Sequence, residues 1–267
     1  MYKTVIYGKE DGVATLTFNR PDRFNAWDEH MTEEALAAQA EAAQDDAVKV
    51  LIVTGAGKAF SAGADIGRLK GIVDNPSDPR WVLERVRRTP SVVHLTVRLR
   101  NMDKPVIAAV NGVAAGAGFG VALACDIRIA AEEARFSLIF VRRGLIPDCG
   151  STYNLPRVIG MSRACEMAFT GDLMDAREAE RIGLVSRVVK AEELMKVTKE
   201  LARKIASGPR VAVQLAKRAL YRGAIETDLA TQSDYELYLQ SMCFQTQDFK
   251  EGVTSFLEKR EPVFKGT

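Results

Sequence analysis

Apolar and polar positions along the chain follow two rhythms. Short apolar or alternating runs predict strands, and apolar positions three to four apart predict helices. Thr4–Tyr7 and Val13–Phe18, joined through Glu10-Asp11-Gly12, predict a hairpin. Residues 19–25 form a polar loop. Over about 28–44, Met31, Ala35 and Ala38 fall on one face, which predicts a helix. Lys49–Thr54 reads as a buried strand, followed by a turn at 55–58. Residues 60–66 lead into a short helix. Asn75–Pro79 has the composition of a flexible surface loop. A helix from about Trp81 to Asn101 then returns the chain to a strand over 105–110. Asn111-Gly112 breaks that run, glycines stand at 112, 116, 118 and 120, and Val121–Ala124 looks helical. Further short strands are predicted at 127–130, 135–137 and 184–189. From about Ser162 the rest is mostly helical, with Asp175 and Gly183 bracketing one helix. Alternating strands and helices imply an α/β core, and about the last 60 residues read as an α-helical appendage.

Composition narrows the class without naming it. The 267 residues suit one large domain, or one domain with an appendage, and 47% hydrophobic against 27% charged residues supports a packed core. A net charge of +2 gives no reason to expect nucleic acid or an anionic membrane as partner. No apolar signal region opens the chain, and no run approaches the ~20 apolar residues of a membrane span. Cys125, Cys149, Cys165 and Cys243 form no C-x-x-C pair, so free thiols and a cytoplasmic location are expected.

Several familiar chemistries find no footing. His30 and His94 are far apart, with no ligands at metal spacing, so no metal is expected. There is no G-x-S-x-G elbow. Residues 55–58 lack the phosphate-loop spacing, and 116–120 miss the dinucleotide spacing by one residue. What remains around 106–124 is a strand, a turn poor in side chains and a helix start. Bare backbone N–H groups there can hold a developing negative charge.

Three segments make a pattern: 59–66 (AFSAGADI), 111–118 (NGVAAGAG) and 144–151 (GLIPDCGS). With Asn19-Arg20-Pro21, Lys104-Pro105, Thr170-Gly171, 183–185 and 251–260 in the same order, the chain resembles the crotonase (enoyl-CoA hydratase/isomerase) superfamily from Ile6 to its C-terminus. The resemblance implies a spiral α/β core of β-β-α units over 1–205 and a helical trimerisation region over 206–267. It implies a homotrimer or a hexamer built as a dimer of trimers. It also implies an acyl-CoA thioester as substrate, coenzyme A entering only with that substrate and no separate cofactor.

In such enzymes two backbone N–H groups hold the thioester oxygen, here those of Ala64 and Ala117. Removing a proton beside a thioester builds charge on that oxygen, and one such donor is worth about 3–4 kcal/mol in the transition state. The resemblance further places Arg23, Ala62, Ala64, Asp65, Ile66, Phe256 and Lys259 around coenzyme A, and Gly120, Phe140 and Leu145 around the acyl group. Arg23 reads equally well as a solvated loop arginine.

The carboxylates depart from the hydratase pattern. Hydratases of this superfamily use two glutamates, and Gly120 and Phe140 stand at those positions. Neither moves a proton. The remaining carboxylate is Asp148, where the superfamily's dienoyl-CoA and ring-epoxide isomerases keep an acid/base aspartate. The motifs are most similar to the ring 1,2-epoxyphenylacetyl-CoA isomerase branch. Asp148 also suits a helix N-cap. An apolar surround of Phe140, Leu145 and Ile146 would desolvate it and favour its neutral acid.

The sequence therefore points to an enoyl-CoA isomerase that shifts a double bond, or rearranges a ring-derived acyl group, through a thioester enolate. An enoyl-CoA hydratase is the alternative. A dehalogenase with Asp148 as nucleophile lacks its Trp at Phe140 and its His at Val93. A different class, a non-catalytic acyl-CoA or RNA-binding module, draws on the basic residues between Lys190 and Arg222. Glu192, Glu193 and Glu200 interrupt that run, and an amphipathic solvent face explains it as well.

Overall fold

The computed structural model describes residues 2–75 and 91–267. The expected hairpin is present: β1 (Val5–Glu10) and β2 (Val13–Phe18) pair antiparallel with Val5 opposite Phe18. Asp11 and Gly12 close the turn at φ 51° and 76°, the positive values a two-residue hairpin demands. Beyond β2 the sheet continues in parallel through β3 (Val50–Gly55), β5 (Val106–Val110), β7 (Ile127–Ala131) and β10 (Arg187–Val189). A second sheet has the order β4 (Ala59–Ser61), β6 (Val113–Ala115), β8 (Arg135–Ser137) and β9 (Met174–Asp175), parallel except for its last pair.

The unbroken apolar runs of β3 and β5 have a direct cause. Leu51, Val53, Val106, Ala108 and Val110 enter the main core, while Val50, Ile52, Ile107 and Ala109 enter a second cluster on the other face. Side chains alternate across a strand, so a strand buried on both faces is apolar at every position. The second cluster is closed by Leu194, Ala202 and Ala206 of α8 (Leu194–Ala206).

The helices before α8 are α1 (Glu29–Gln44), α2 (Ile66–Asp74), α3 (Val92–Arg100), α4 (Ala117–Ala124), α5 (Ser151–Ile159), α6 (Met161–Thr170) and α7 (Ala176–Arg181). Met31, Ala35 and Ala38 of α1 are fully buried, as the periodicity requires. Asp175 caps α7 by accepting from Glu178 N at 2.8 Å, and Gly183 follows the helix at φ 79°. The last three helices, α9 (Arg210–Gly223), α10 (Leu229–Cys243) and α11 (Gln247–Glu258), form the helical appendage.

Three strands escape the sequence pattern. β4, β6 and β9 have only three, three and two residues, too few to display a period. The helix predicted from 81 is observed over α3, while 81–90, with Arg85–Arg88, and 76–79 of the predicted loop lie outside the described residues.

A buried polar cluster fastens α9 to the sheet. Lys217 Nζ pairs with Asp126 Oδ2 at 2.8 Å, and Tyr221 OH donates to Asp126 Oδ1. Asp126 Oδ2 also accepts from Val106 N at 2.7 Å. Burial, then the Asp126 carboxylate, pushes the Tyr221 phenol well above its ordinary range. All four cysteines are unpaired, and no helix among the described residues is long and apolar enough to cross a membrane.

Candidate active site

The first arm of the site is the peptide of Ala64, just after β4. Ala64 forms an isolated parallel bridge with Trp27. Trp27 N–H donates to Gly63 O at 2.8 Å, and Asp65 N–H donates to Trp27 O at 3.0 Å. Parallel pairing of this kind uses the groups on either side of the bridged residue, so the N–H of Ala64 itself has no backbone acceptor among the described residues. Behind this arm, the fully buried Asn25 donates to Ala59 O at 2.7 Å and accepts from Arg20 N at 2.9 Å. Ser61 Oγ donates to Asn25 O at 2.7 Å.

The second arm is the N-terminus of α4. Gly116 N donates to Ser137 O at 3.0 Å, whereas Ala117 N–H, at the first helical position, has no backbone acceptor among the described residues. Every residue of α4 is buried, so its amide ends face protein rather than bulk water.

Gly63 brings the arms together. Its φ is 95°, and a Cβ placed on it would lie 2.9 Å from Ala115 O and 3.5 Å from Ala117 N. Only a residue without a side chain permits this approach. The outcome is two neighbouring peptide segments, each with one N–H lacking a backbone acceptor among the described residues, just past adjacent strands of the small sheet.

Residues 139–150 lie over this N-terminus. A Cβ on Gly116 would sit 3.8 Å from Phe140 Cζ, so the half-buried Phe140 ring borders the second arm. Gly120 is buried, and a Cβ there would lie 2.6 Å from Cys149 Cβ and 3.0 Å from Cys149 O. Position 120 therefore has no room for any side chain, and Cys149 fills the space. Cys149 is 1% exposed, with its backbone at φ 52°. Burial, the Asp148 charge and a hydrogen bond to Asp148 push its thiol far up, so it stays a neutral thiol.

Asp148 differs from both environments expected for it. It does not cap α5: the N-cap is Gly150, without a side-chain cap bond, and Asp148 contributes its backbone carbonyl to Ser151 N at 2.9 Å. Nor is it enclosed. Asp148 is exposed, and Leu145 and Ile146 are 48% and 83% exposed. Consecutive left-handed residues at Cys149 and Gly150 turn the loop so that the thiol goes inward and the preceding segment faces out.

The remaining candidates are spread more widely. Arg23 is solvent-facing, with a 3.8 Å approach to Asp22. Ala62 and Ile66 are exposed on either side of Ala64, and Asp65 caps α2 by accepting from Gly67 N at 2.9 Å. Phe256, 82% exposed, and Lys259 project from the end of α11. Among the described residues no group of three His, Cys, Asp or Glu converges as a metal site. His94 Nδ1 lies 2.9 Å from Ser91 Oγ at the start of α3.

The basic run between Lys190 and Arg222 is largely committed to ion pairs. Besides Lys217, Arg210 meets Asp46 at 2.6 Å, Arg218 meets Asp103 at 2.8 Å and Arg203 meets Asp11 at 3.5 Å. These pairs offset part of the run's charge, and Lys217 is buried rather than solvated.

Comparison with known proteins agrees with this architecture. Residues 8–267 match the family model described as enoyl-CoA hydratase/isomerase. The chain is 39% identical to the 1,2-epoxyphenylacetyl-CoA isomerase of Escherichia coli, covering 100% of both chains. It is 40% identical to the crotonyl-CoA hydratase of Syntrophomonas wolfei, covering 98% of each. A solved structure, the enoyl-CoA hydratase of Bacillus anthracis, superposes with a TM-score of 0.91 at 36% identity, over 99% of this chain and 100% of that one. The chain belongs to the enoyl-CoA hydratase/isomerase family of acyl-CoA enzymes and has the crotonase-type α/β fold.

Proposed function

We propose that the protein is an acyl-CoA isomerase with one carboxylate as its acid and base. The observation that carries this is position 120. A hydratase of this family needs a glutamate there, and Cys149 leaves no space for even a methyl group. At the other hydratase position stands Phe140, which cannot move a proton. Asp148 is the carboxylate left on the loop that borders the second arm.

In the proposed reaction the thioester oxygen lies between the N–H groups of Ala64 and Ala117. Neither has a backbone acceptor among the described residues, so neither gives up a backbone bond there to bind it. Asp148 takes a proton from the acyl chain, and the electron pair moves into the thioester as an enolate. Asp148 then returns the proton at a different carbon, so the double bond moves and no mass is gained. Phe140, Leu145 and Gly120 are assigned to the acyl side. Arg23, Ala62, Asp65, Ile66, Phe256 and Lys259 are assigned to coenzyme A, Arg23 suiting its phosphates. No cofactor is consumed.

The helices after residue 206 are assigned to a homotrimer or dimer of trimers, and residues 1–205 to the catalytic core. Large apolar side chains exposed on those helices support this, among them Leu229 at 79% and Leu237 at 69%. A cytoplasmic location fits the four unpaired cysteines.

Hydration remains the second reading, because a relative of equal identity bears the hydratase name. The test is a small panel of acyl-CoAs, including crotonyl-CoA, a 3-enoyl-CoA and a ring-derived thioester, followed by mass spectrometry. Isomerisation keeps the mass, and hydration adds one water. The proposal expects faster conversion of the 3-enoyl substrate, and faster hydration of crotonyl-CoA would overturn it.

A further inference from the structure

The Ala64 peptide is framed by three charges, Arg20, Asp28 and Asp65, none of which moves a proton in the proposed chemistry. Asp28 and Asp65 are the N-caps of the two helices flanking it. Asp28 Oδ1 accepts from Met31 N at 2.8 Å, and Asp65 Oδ1 accepts from Gly67 N at 2.9 Å. Each keeps its second oxygen for one guanidinium. Arg20 NH1 lies 3.1 Å from Asp28 Oδ2, and Arg20 NH2 lies 3.2 Å from Asp65 Oδ2. Arg20 NH1 also donates to Ala26 O at 2.5 Å, beside the bridge between Trp27 and Ala64. The Arg20 side chain is 18% exposed, so solvent screens these contacts only in part.

Two consequences follow from that placement. The planar fork ties the ends of two helices at fixed separation, which a single-point cation does not do. It also offsets part of the charge of Asp65, whose carboxylate belongs to the residue directly after the Ala64 amide. A bare anion there would oppose charge building on an oxygen held by that amide.

We propose that Arg20 is a positioning residue of this site: it fixes the Ala64 amide and, as a cation shared with Asp28, offsets part of the Asp65 charge beside the developing oxyanion. The inference rests on the reading in which Ala64 and Ala117 hold the thioester oxygen.

The test measures kcat and KM for a 3-enoyl-CoA in the wild type, Arg20→Gln and Arg20→Gln/Asp65→Asn. Arg20→Gln should lower kcat by about 10- to 100-fold with KM within about threefold, because the loss falls on the charged transition state. Asn still caps a helix, so adding Asp65→Asn removes the stranded anion and keeps the cap. The double variant should regain at least about fivefold in kcat. A merely structural role predicts the opposite, since a second ion-pair partner has been removed. Wild-type kcat in Arg20→Gln, or a double variant no faster than the single, would overturn the proposal. Melting temperatures accompany each variant. If Arg20→Gln does not fold, Arg20→Lys, which keeps a charge but cannot span both carboxylates, takes its place: kcat should fall by about tenfold with KM nearly unchanged, and wild-type kcat would overturn the proposal. No conversion of any acyl-CoA by the wild type would instead strike the function reading, and this inference would fall with it. Normal wild-type turnover with an insensitive Arg20 strikes this inference alone.

Discussion

A Cβ at position 120 would lie 2.6 Å from Cys149 Cβ, so a glutamate there must displace the Cys149 loop as well as bury a charge. Gly120→Glu is expected to cost about 3 kcal/mol in stability, read by denaturant unfolding. Adding Cys149→Gly should recover more than adding Cys149→Ala. Only glycine removes the obstructing Cβ, and the backbone at φ 52° suits it. Equal recovery by both would show that the thiol, not the Cβ, is the obstacle. Asp148→Asn should leave stability within about 0.5 kcal/mol, since the Asp148 side chain caps no helix. The same change should lower isomerase kcat by about 10²–10⁴-fold, because an amide cannot carry the proton. Turnover near wild type would remove Asp148 from the mechanism. Neither the crowding at 120 nor the exposure of Asp148 was legible in the sequence. Both depend on how a loop with two successive left-handed residues crosses α4, and a run of Asp-Cys-Gly does not encode that crossing.

Among the elements, β3 and β5 could be read from their residues because burial on both faces leaves an apolar run of full strand length. α1 could be read because Asp28 caps it and Met31, Ala35 and Ala38 hold one face. Of the second sheet only β8 could be read, since β4, β6 and β9 are held in place by neighbours rather than by pattern. The two amide arms were legible only through resemblance of whole segments. Arg20, in the Asn19-Arg20-Pro21 motif, and Asn25, at the end of the polar loop, carry no role in the sequence pattern, because partners such as Asp65, Ala56 and Ala59 lie 31 to 45 positions away. Lys217 of α9 belongs to the basic run that either an amphipathic solvent face or an RNA-binding surface explains, yet it is buried against Asp126. Lys217→Met leaves that carboxylate without its cation and should cost about 3 kcal/mol, lowering the melting temperature. An unchanged melting temperature would mean that Tyr221 and the Val106 amide suffice. At the chain's end, Arg260 and the Val263 amide bind Glu251 and lower its pKa from 4.5 to about 2. A carboxyl with a depressed folded value contributes above its unfolded value and loses that contribution as pH falls toward the folded one. The tail after α11 should therefore stay docked above pH 4.5 and loosen as the pH approaches 2. A carboxyl-carbon NMR titration checks this, and a Glu251 midpoint near 4.5 would refute it.

For the whole molecule, the exposed apolar side chains of the last helices call for a partner surface. Phe256 and Leu257 are 82% and 74% exposed and Leu229 is 79% exposed, more than an isolated chain leaves in water without cost. Light scattering is expected to give the mass of a trimer or of two trimers, and a monomer at micromolar concentration would count against the assignment. The two amides follow β4 and β6, neighbouring strands of one sheet, and the absence of a side chain at Gly63 lets their segments approach. That division shapes what descent can alter. The half of the site suited to an anion is written in backbone and tolerates substitutions that preserve the sheet and keep glycine at 63. The half that moves protons is written at a few side-chain positions and can drift. A lineage can thus change its reaction while its thioester cradle stays the same. An isomerase and a hydratase standing 39% and 40% identical to one chain are what such a split inheritance leaves behind.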